Sequence, residues 1–210
     1  RVVDLTGTVT APDDVTDVSP DICVCNECID DLKTQDHRID YPFINCTNCG
    51  PRFTIIKDLP YDRGMTTMAP FIMCEQCNSE YTEILDRRFH AQPVACNTCG
   101  PIYSLHQNGS KTEDFQEVVK ECASLLDDGK LVAMKGMGGY HLACNAVDEE
   151  AVKKLRIAKN RDGKPFAIMA RNLNSLKTYV AINIEEENHL TSWQRPIVLL
   201  KDLKKLAFFW

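Results

Sequence analysis

The sequence predicts a protein of mixed α+β and α/β class: two small cysteine-stapled modules, over residues 21–62 and 63–108, then an α/β domain over residues 109–210. Three observations predict it. Eight cysteines between Cys25 and Cys99 fall in four Cys-x2-Cys pairs: Cys25/Cys28, Cys46/Cys49, Cys74/Cys77 and Cys96/Cys99. The sequence around them repeats, Asp36-His37-Arg38 returning as Asp86-Arg87-Arg88 and Cys46-Thr47-Asn48-Cys49-Gly50-Pro51 as Cys96-Asn97-Thr98-Cys99-Gly100-Pro101. After Pro101 the pairs stop, and helical and extended apolar patterns alternate, as in an α/β domain.

The cysteine spacing carries chemistry. Within each half, 17 or 18 residues separate the two pairs, and 24 residues separate the halves. Two cysteines on one tight knuckle place both sulfurs on one ion, and a second knuckle closes a tetrahedral thiolate site of the kind structural zinc occupies. A repeated unit with repeated ligands argues for two copies of one zinc module. Sequential pairing gives one ion to Cys25, Cys28, Cys46 and Cys49 and another to Cys74, Cys77, Cys96 and Cys99, although crossed knuckles would use the same ligands. A disulfide framework suits a small secreted domain, and no apolar leader opens this chain. A redox Cys-x-x-Cys normally stands alone beside a βαβ pattern, and iron–sulfur ligation uses other spacings. Four thiolates saturate the ion, so the modules read as scaffold rather than catalyst.

Composition narrows the partners. The 210 residues are 44% hydrophobic and 26% charged, typical of a soluble globular chain, and no apolar run approaches the length of about 18 residues that a membrane span needs. Paired cysteines, an acidic pI near 5.4 and no targeting segment place the chain in a reducing cytoplasm. Residues 21–101 carry 7 Lys/Arg against 12 Asp/Glu, the wrong sign for a finger that neutralises phosphates. A nucleic-acid-binding regulator is therefore disfavoured. Residues 130–177 carry 10 Lys/Arg against 4 Asp/Glu, so any anion is handled there.

Taken in order, residues 1–20 read as a linker or the end of an upstream domain, and Cys23 as a spare thiol out of register with the repeat. Arg52–Ile56 suggests a strand and Leu59–Gly64 a turn-rich loop. His90 is read as structural or surface, since each ion already has four cysteines. Asn108-Gly109 marks a turn, and Ser110-x-x-Glu113 has the pattern of a capping box. Phe115, Val118, Val119, Cys122, Leu125 and Leu126 form one helical stripe ended by Gly129, which accounts for Cys122 by burial. Strands follow at Leu131–Met134 and Tyr140–Cys144 around a tight Gly136–Gly139 loop. A helix runs from Asp148 to about Lys159, with Ala151, Val152, Leu155 and Ala158 inward. Phe166–Met169 and Ile197–Leu200 suggest further strands, and Leu173–Val180 and Glu185–Leu190 short helices.

Two stretches of this domain could hold an anion. The glycine loop lacks a dinucleotide fingerprint, whose third glycine would fall on His141, but its glycines let backbone approach a ligand closely. It reads equally as a plain turn. Lys159-Asn160-Arg161-Asp162-Gly163-Lys164-Pro165 brings three cations from a helix across a turn into an extended segment, where they can grip a polyphosphate.

Together these residues resemble a known family. Pro20-Asp21-Ile22, the eight cysteines, the stretches Tyr41–Thr54, Leu59–Arg63 and Asp86–Pro93, and the segments Lys135–Cys144 and Lys159–Phe166 are similar to the HypF family, the carbamoyltransferases of nickel–iron hydrogenase maturation. The resemblance runs from about residue 20 to 201 and implies two zinc modules followed by the start of a YrdC-like twisted-sheet domain. It implies that carbamoyl phosphate is hydrolysed to carbamate, that the YrdC-like domain joins carbamate to ATP, with Mg, as carbamoyl-adenylate, and that the carbamoyl group passes to the C-terminal cysteine of HypE for cyanide ligand synthesis.

The same resemblance assigns roles within this sequence. Lys159, Arg161 and Lys164, with Pro165, are expected at the ATP phosphates. Lys135, Gly136, Gly138, Gly139 and Tyr140 are expected to shape the carbamate end, and His141 to orient or deprotonate the carbamate or simply to hold the loop. The family's acylphosphatase and transferase domains have no counterpart here, and its later Ser-x-Asn nucleotide motif would fall beyond Trp210. The chain is therefore expected to be a fragment with a truncated YrdC-like domain, ending on the apolar Leu206–Trp210. The alternative is a threonylcarbamoyl-adenylate synthase of tRNA modification, disfavoured by the zinc modules and the glycine loop.

Overall fold

A computed structural model describes residues 18–161 and 163–203. The expected linker over 1–20 therefore lies almost wholly outside the described residues, as do Asp162 and the apolar ending Leu206–Trp210. The chain divides between Ile102 and Tyr103 into two compact units. Both cysteine modules fall in the first. The border placed after residue 108 would cut through a hairpin of the second.

In the first unit, helices α1 (Asn26–Thr34) and α2 (Glu75–Thr82) each begin directly after the first cysteine of a pair. That start places Cys28 and Cys77 in the opening turn of a helix, both fully buried. The strand expected over Arg52–Ile56 is instead a 3-10 turn, Phe53–Ile55. Asp21 explains this: one carboxylate oxygen accepts from the backbone N–H of Arg52 at 2.8 Å and of Thr54 at 3.2 Å. The Arg52 guanidinium meanwhile turns back to the carbonyls of Cys46, at 3.1 Å, and Thr47, at 2.7 Å. Wrapped onto its own knuckle, the segment pairs only at its end, where Ile56 bridges Thr66 in antiparallel fashion.

The core of this unit is small. Cys28, Cys46 and Cys49 pack with Tyr41, Ile44, Ile55, Met68 and Ala95, so prospective metal ligands occupy positions that aliphatic side chains fill in larger domains. The glycine that follows each second knuckle is set by close approach. A Cβ on Gly50, at φ +98°, would lie 2.6 Å from the Asn45 Cβ, and one on Gly100 would lie 1.9 Å from the Tyr41 hydroxyl.

The second unit opens with the hairpin β1 (Leu105–Gln107) and β2 (Ser110–Thr112). Its two-residue turn, Asn108-Gly109, has both residues at positive φ, as the twist of a tight hairpin favours. Ser110 is thus a strand residue, and the capping box expected there does not form. Helix α3 (Phe115–Asp127) is capped by Asp114, whose side chain accepts from the Glu117 N–H. Gly129, at φ +67°, closes its far end as expected. Strands β3 (Val132–Lys135) and β4 (Tyr140–Ala143) pair in antiparallel register around the glycine loop. Helix α4 (Glu149–Lys159), capped by Asp148, buries Ala151, Val152 and Leu155. A short helix α5 (Leu173–Leu176), strand β5 (Val180–Ala181), helix α6 (Ile184–Thr191) and strand β6 (Lys201–Asp202) complete it.

The strands expected at Phe166–Met169 and Ile197–Leu200 do not form, and neither segment joins a ladder. Met169 is 94% exposed and Leu199 84%, so neither segment has the packed face that turns an apolar run into a strand. Among the described residues the strands pair as three two-stranded antiparallel sheets.

The buried Tyr41 hydroxyl has no hydrogen-bond partner among the described residues. Tyr41→Phe should therefore leave the melting temperature of the metal-loaded chain unchanged or raise it, since an unsatisfied buried hydroxyl costs about 1–3 kcal/mol. Gly100→Ala should cost about 1–3 kcal/mol by overpacking. Thermal unfolding followed by circular dichroism checks both.

Candidate functional site

The eight paired cysteines gather into two quartets: Cys25, Cys28, Cys46 and Cys49 in one, Cys74, Cys77, Cys96 and Cys99 in the other. The pairing is sequential. Within the first quartet the sulfurs of Cys25 and Cys46 lie 3.7 Å apart, Cys46 and Cys49 3.7 Å, and Cys28 and Cys49 3.6 Å. In the second, Cys74 and Cys96 are 3.7 Å apart and Cys96 and Cys99 3.8 Å. A tetrahedron with Zn–S bonds of about 2.3 Å has edges of about 3.8 Å, whereas a disulfide would bring two sulfurs to about 2.05 Å. The quartets fit zinc, and no pair is a disulfide.

The ligand thiols differ in how readily they take a charge, with Cys25 and Cys77 raised by burial and Cys96 lowered. Burial opposes charge on Cys96, but hydrogen bonds from the N–H groups of Thr98 and Cys99 and from the thiols of Cys77 and Cys74 outweigh it and lower Cys96 to about 7. Burial pushes the Cys25 thiol up to about 11.

Around the quartets the two modules exchange side chains. Arg38, in the first, is fully buried. It donates to the Ala95 carbonyl at 3.0 Å, to the Cys77 sulfur at 3.3 Å and through both terminal nitrogens to Glu80, all in the second module. Arg88, its repeat counterpart, returns the pattern with a bond to the Asn45 carbonyl at 3.1 Å and an ion pair with Asp31. Arg87 also pairs with Asp31 and reaches the Cys28 sulfur at 3.4 Å. Burial works against the charge on Arg38 and Arg87, and the Glu80 and Asp31 carboxylates outweigh it, so both guanidiniums are held protonated more firmly than usual. Sequence reasoning noted the Asp36-His37-Arg38 repeat but gave it no task. The signal available was the acidic residue three positions after each helical cysteine, Asp31 after Cys28 and Glu80 after Cys77.

Cys23 lies outside both quartets, and His90 stacks at 5.0 Å on the Tyr81 ring.

In the second unit the two expected anion-binding stretches sit on separate elements. At the β3–β4 turn, the Gly136 N–H donates to the Gly139 carbonyl at 2.8 Å, and Lys135 lies 5.9 Å over the Tyr140 ring. A Cβ on Gly136 would meet the His141 ring at 3.0 Å, whereas one on Gly138 would meet open space. After α4, Asn160 at φ +45° reverses the chain. Arg161 donates to the Pro165 carbonyl at 3.3 Å and lies 5.3 Å over the Phe166 ring, while Lys159 and Lys164 are exposed. Arg156, which the sequence did not single out, lies 4.9 Å over the same ring and donates to the carbonyls of Arg161, at 3.2 Å, and Lys164, at 3.4 Å.

Comparison with known proteins covers both units. The family model described as HypF finger matches residues 24–56 and 73–106, and the Sua5/YciO/YrdC model, described as telomere recombination, matches residues 124–208. The carbamoyltransferase HypF of Rhodobacter capsulatus is 45% identical over 185 residues, covering 88% of this chain and 25% of that protein. That of Synechocystis is 46% identical over 191 residues, covering 90% and 25%. A crystal structure of full-length HypF in a phosphate- and nucleotide-bound form matches with a TM-score of 0.81 at 53% identity, over 90% of this chain and 25% of that one. The crystal structure of HypF from T. kodakarensis matches with a TM-score of 0.83 at 48% identity over the same shares. The chain thus spans about a quarter of the length of these relatives.

Metal analysis of the purified chain should return two zinc ions per chain. Chelation, or Cys28→Ser, should lower that content and melt the first unit, because structural zinc supplies much of the folding free energy of such small units. An unchanged circular dichroism spectrum after complete metal removal would contradict this.

Proposed function

The chain belongs to the HypF family, and on that premise we propose that it is the finger and YrdC-like segment of a carbamoyltransferase of hydrogenase maturation. The observation that carries this reading is the order of two HypF fingers and a YrdC-like segment in one chain whose relatives are named carbamoyltransferases. The fingers hold two structural zinc ions on the two cysteine quartets and take no part in chemistry. The YrdC-like segment joins carbamate, derived from carbamoyl phosphate, to ATP in the presence of Mg, and the carbamoyl group is handed on to the C-terminal cysteine of HypE. The setting is the cytoplasm, and among the described residues no helix is long and apolar enough to cross a membrane.

In this reading a carbamate oxygen attacks the α-phosphate of ATP and pyrophosphate leaves. Lys159, Arg161 and Lys164 face the growing negative charge on the phosphates. Fixed cations serve best when they need not rearrange during the reaction. Arg156 supports such fixity here: it holds the carbonyls of Arg161 and Lys164 and shares the Phe166 ring with Arg161, so the turn is braced from within. At the other end, the loop of Lys135, Gly136, Gly138, Gly139 and Tyr140 suits a small acyl group, since Gly138 presents open space where a side chain would stand. His141 lies against Gly136, which favours its loop-holding role over that of a base. The paired fingers and the bare glycine loop argue against the threonylcarbamoyl-adenylate alternative.

In the full-length protein, Arg161→Ala should abolish carbamoyl-phosphate-dependent exchange of pyrophosphate into ATP while leaving zinc content unchanged. Exchange at the wild-type rate in that variant would make the turn a solvated surface and overturn the assignment.

A further inference from the structure

Beyond holding one zinc each, a role that rests on the reading above, we propose that the two quartets form a single coupled metal-binding unit. Each cluster is charge-compensated by an arginine from the other module, and metal is taken up by both clusters together. Arg38 and Arg87 are the positioning residues of this coupling.

Charge makes the first part of the argument. Four thiolates on one divalent ion leave a cluster with a charge of about −2, and such a cluster inside protein needs cationic hydrogen-bond donors around its sulfurs. The first cluster receives them from the second module, where Arg87 places its two terminal nitrogens 3.4 and 3.5 Å from the Cys28 sulfur and one of them 4.0 Å from Cys25. The second cluster receives its donor from the first module, the Arg38 nitrogen 3.3 Å from the Cys77 sulfur. The exchange runs both ways.

Mechanics makes the second part. Helix α1 carries both a ligand, Cys28, and Asp31, the carboxylate that pairs with Arg87 and Arg88 of the other module. Helix α2 likewise carries Cys77 and Glu80, the partner of Arg38. Arg38 and Arg88 are fully or almost fully buried, and each also holds the carbonyl just before a ligand of the opposite cluster, Ala95 before Cys96 and Asn45 before Cys46. Release of metal from one cluster frees its helix and withdraws the carboxylate that satisfies a buried arginine of the other module. A buried charge stripped of its partner is strongly destabilising, so loss at one cluster propagates to the second. Backbone bonds follow the same crossing: the Thr47 N–H donates to the Arg87 carbonyl and the Asn97 N–H to the His37 carbonyl, each at 3.2 Å.

The test is stepwise zinc addition to the metal-free chain, read by native mass spectrometry. Independent sites of equal affinity put about half of the chains in the one-zinc form at half-saturation, and unequal sites put more there. The coupled unit should hold that population below half in the wild type. Arg87→Met is the sharper variant because Asp31 keeps Arg88 as a partner. It should lower zinc affinity about 10- to 100-fold, as loss of an outer-sphere contact does. Because Asp31 still ties helix α1 to Arg88, the loss should carry to the other cluster: the one-zinc population stays below half, and alkylation marks Cys25, Cys28, Cys46 and Cys49 no later than the second quartet. Arg87 lies between ligands of the second quartet in sequence, so a merely local disturbance would expose that quartet first. Exposure of the second quartet first, or a wild-type one-zinc population of half or more, overturns the coupling. Saturation below two zinc overturns the zinc reading itself, which separates the two failures.

Discussion

Everything in the first unit depends on keeping four sulfurs within reach of one ion, twice, in a stretch of chain too short to bury an ordinary core. The cysteines are themselves the core: Cys28, Cys46, Cys49, Cys77 and Cys96 are completely inaccessible. Sulfurs packed this closely are stable only if their charge is met, first by metal and then by donors from outside the cluster. The exterior of the unit is acidic, so the compensating cations come from within. Arginine suits that role better than lysine because its planar fork keeps several acceptors in one fixed geometry. Arg38 shows the advantage, bonding a carbonyl, an amide oxygen, a carboxylate and a sulfur from a fully buried position.

Among the described residues of the second unit, no three metal-ligating side chains gather at one point. The buried apolar set of that unit is slight, chiefly Val118, Ala151, Val152, Leu155 and Val180. The turn after α4 is organised by cations rather than strained by them. Two guanidiniums flank one aromatic ring and donate to backbone carbonyls, which spreads their charge over dipoles that would otherwise be exposed acceptors. Lys159 and Lys164 stand exposed at the two ends of this turn.

What the sequence made legible follows physical range. The eight ligands were legible because a Cys-x2-Cys pair is a local constraint and the pairs repeat, whereas the choice between sequential and crossed knuckles came from the structure. The Asn108-Gly109 hairpin, the Gly129 helix stop and the inward Ala151, Val152 and Leu155 were legible for the same reason, although Ala158, expected beside them, is exposed. The error at Ser110 arose because Asp114, four residues on, competes for the same helix start, and hairpin pairing decided between them. Phe166–Met169 and Ile197–Leu200 have strand composition, but a strand is made by its neighbours and composition does not supply them. The exchange of arginines was hardest to see, since Arg38 and Glu80 are far apart in sequence and meet only after both knuckles have closed.

The exchange also explains why the repeat is imperfect. Residue 37 is histidine where the second module has Arg87. Burial, reinforced by the adjacent Arg38 charge, pushes the His37 imidazole below its ordinary value, and its Nε2 lies 2.7 Å from an Arg38 nitrogen. A second cation at that place would stand directly against Arg38. The first cluster can therefore divide its needs, with Arg87 at the sulfurs and Arg88 at the Asn45 carbonyl. At the second cluster a single side chain, Arg38, serves both the Cys77 sulfur and the Ala95 carbonyl. Two modules with the same ligand set thus differ in the arginines they receive from each other, Arg87 and Arg88 at the first cluster and Arg38 at the second.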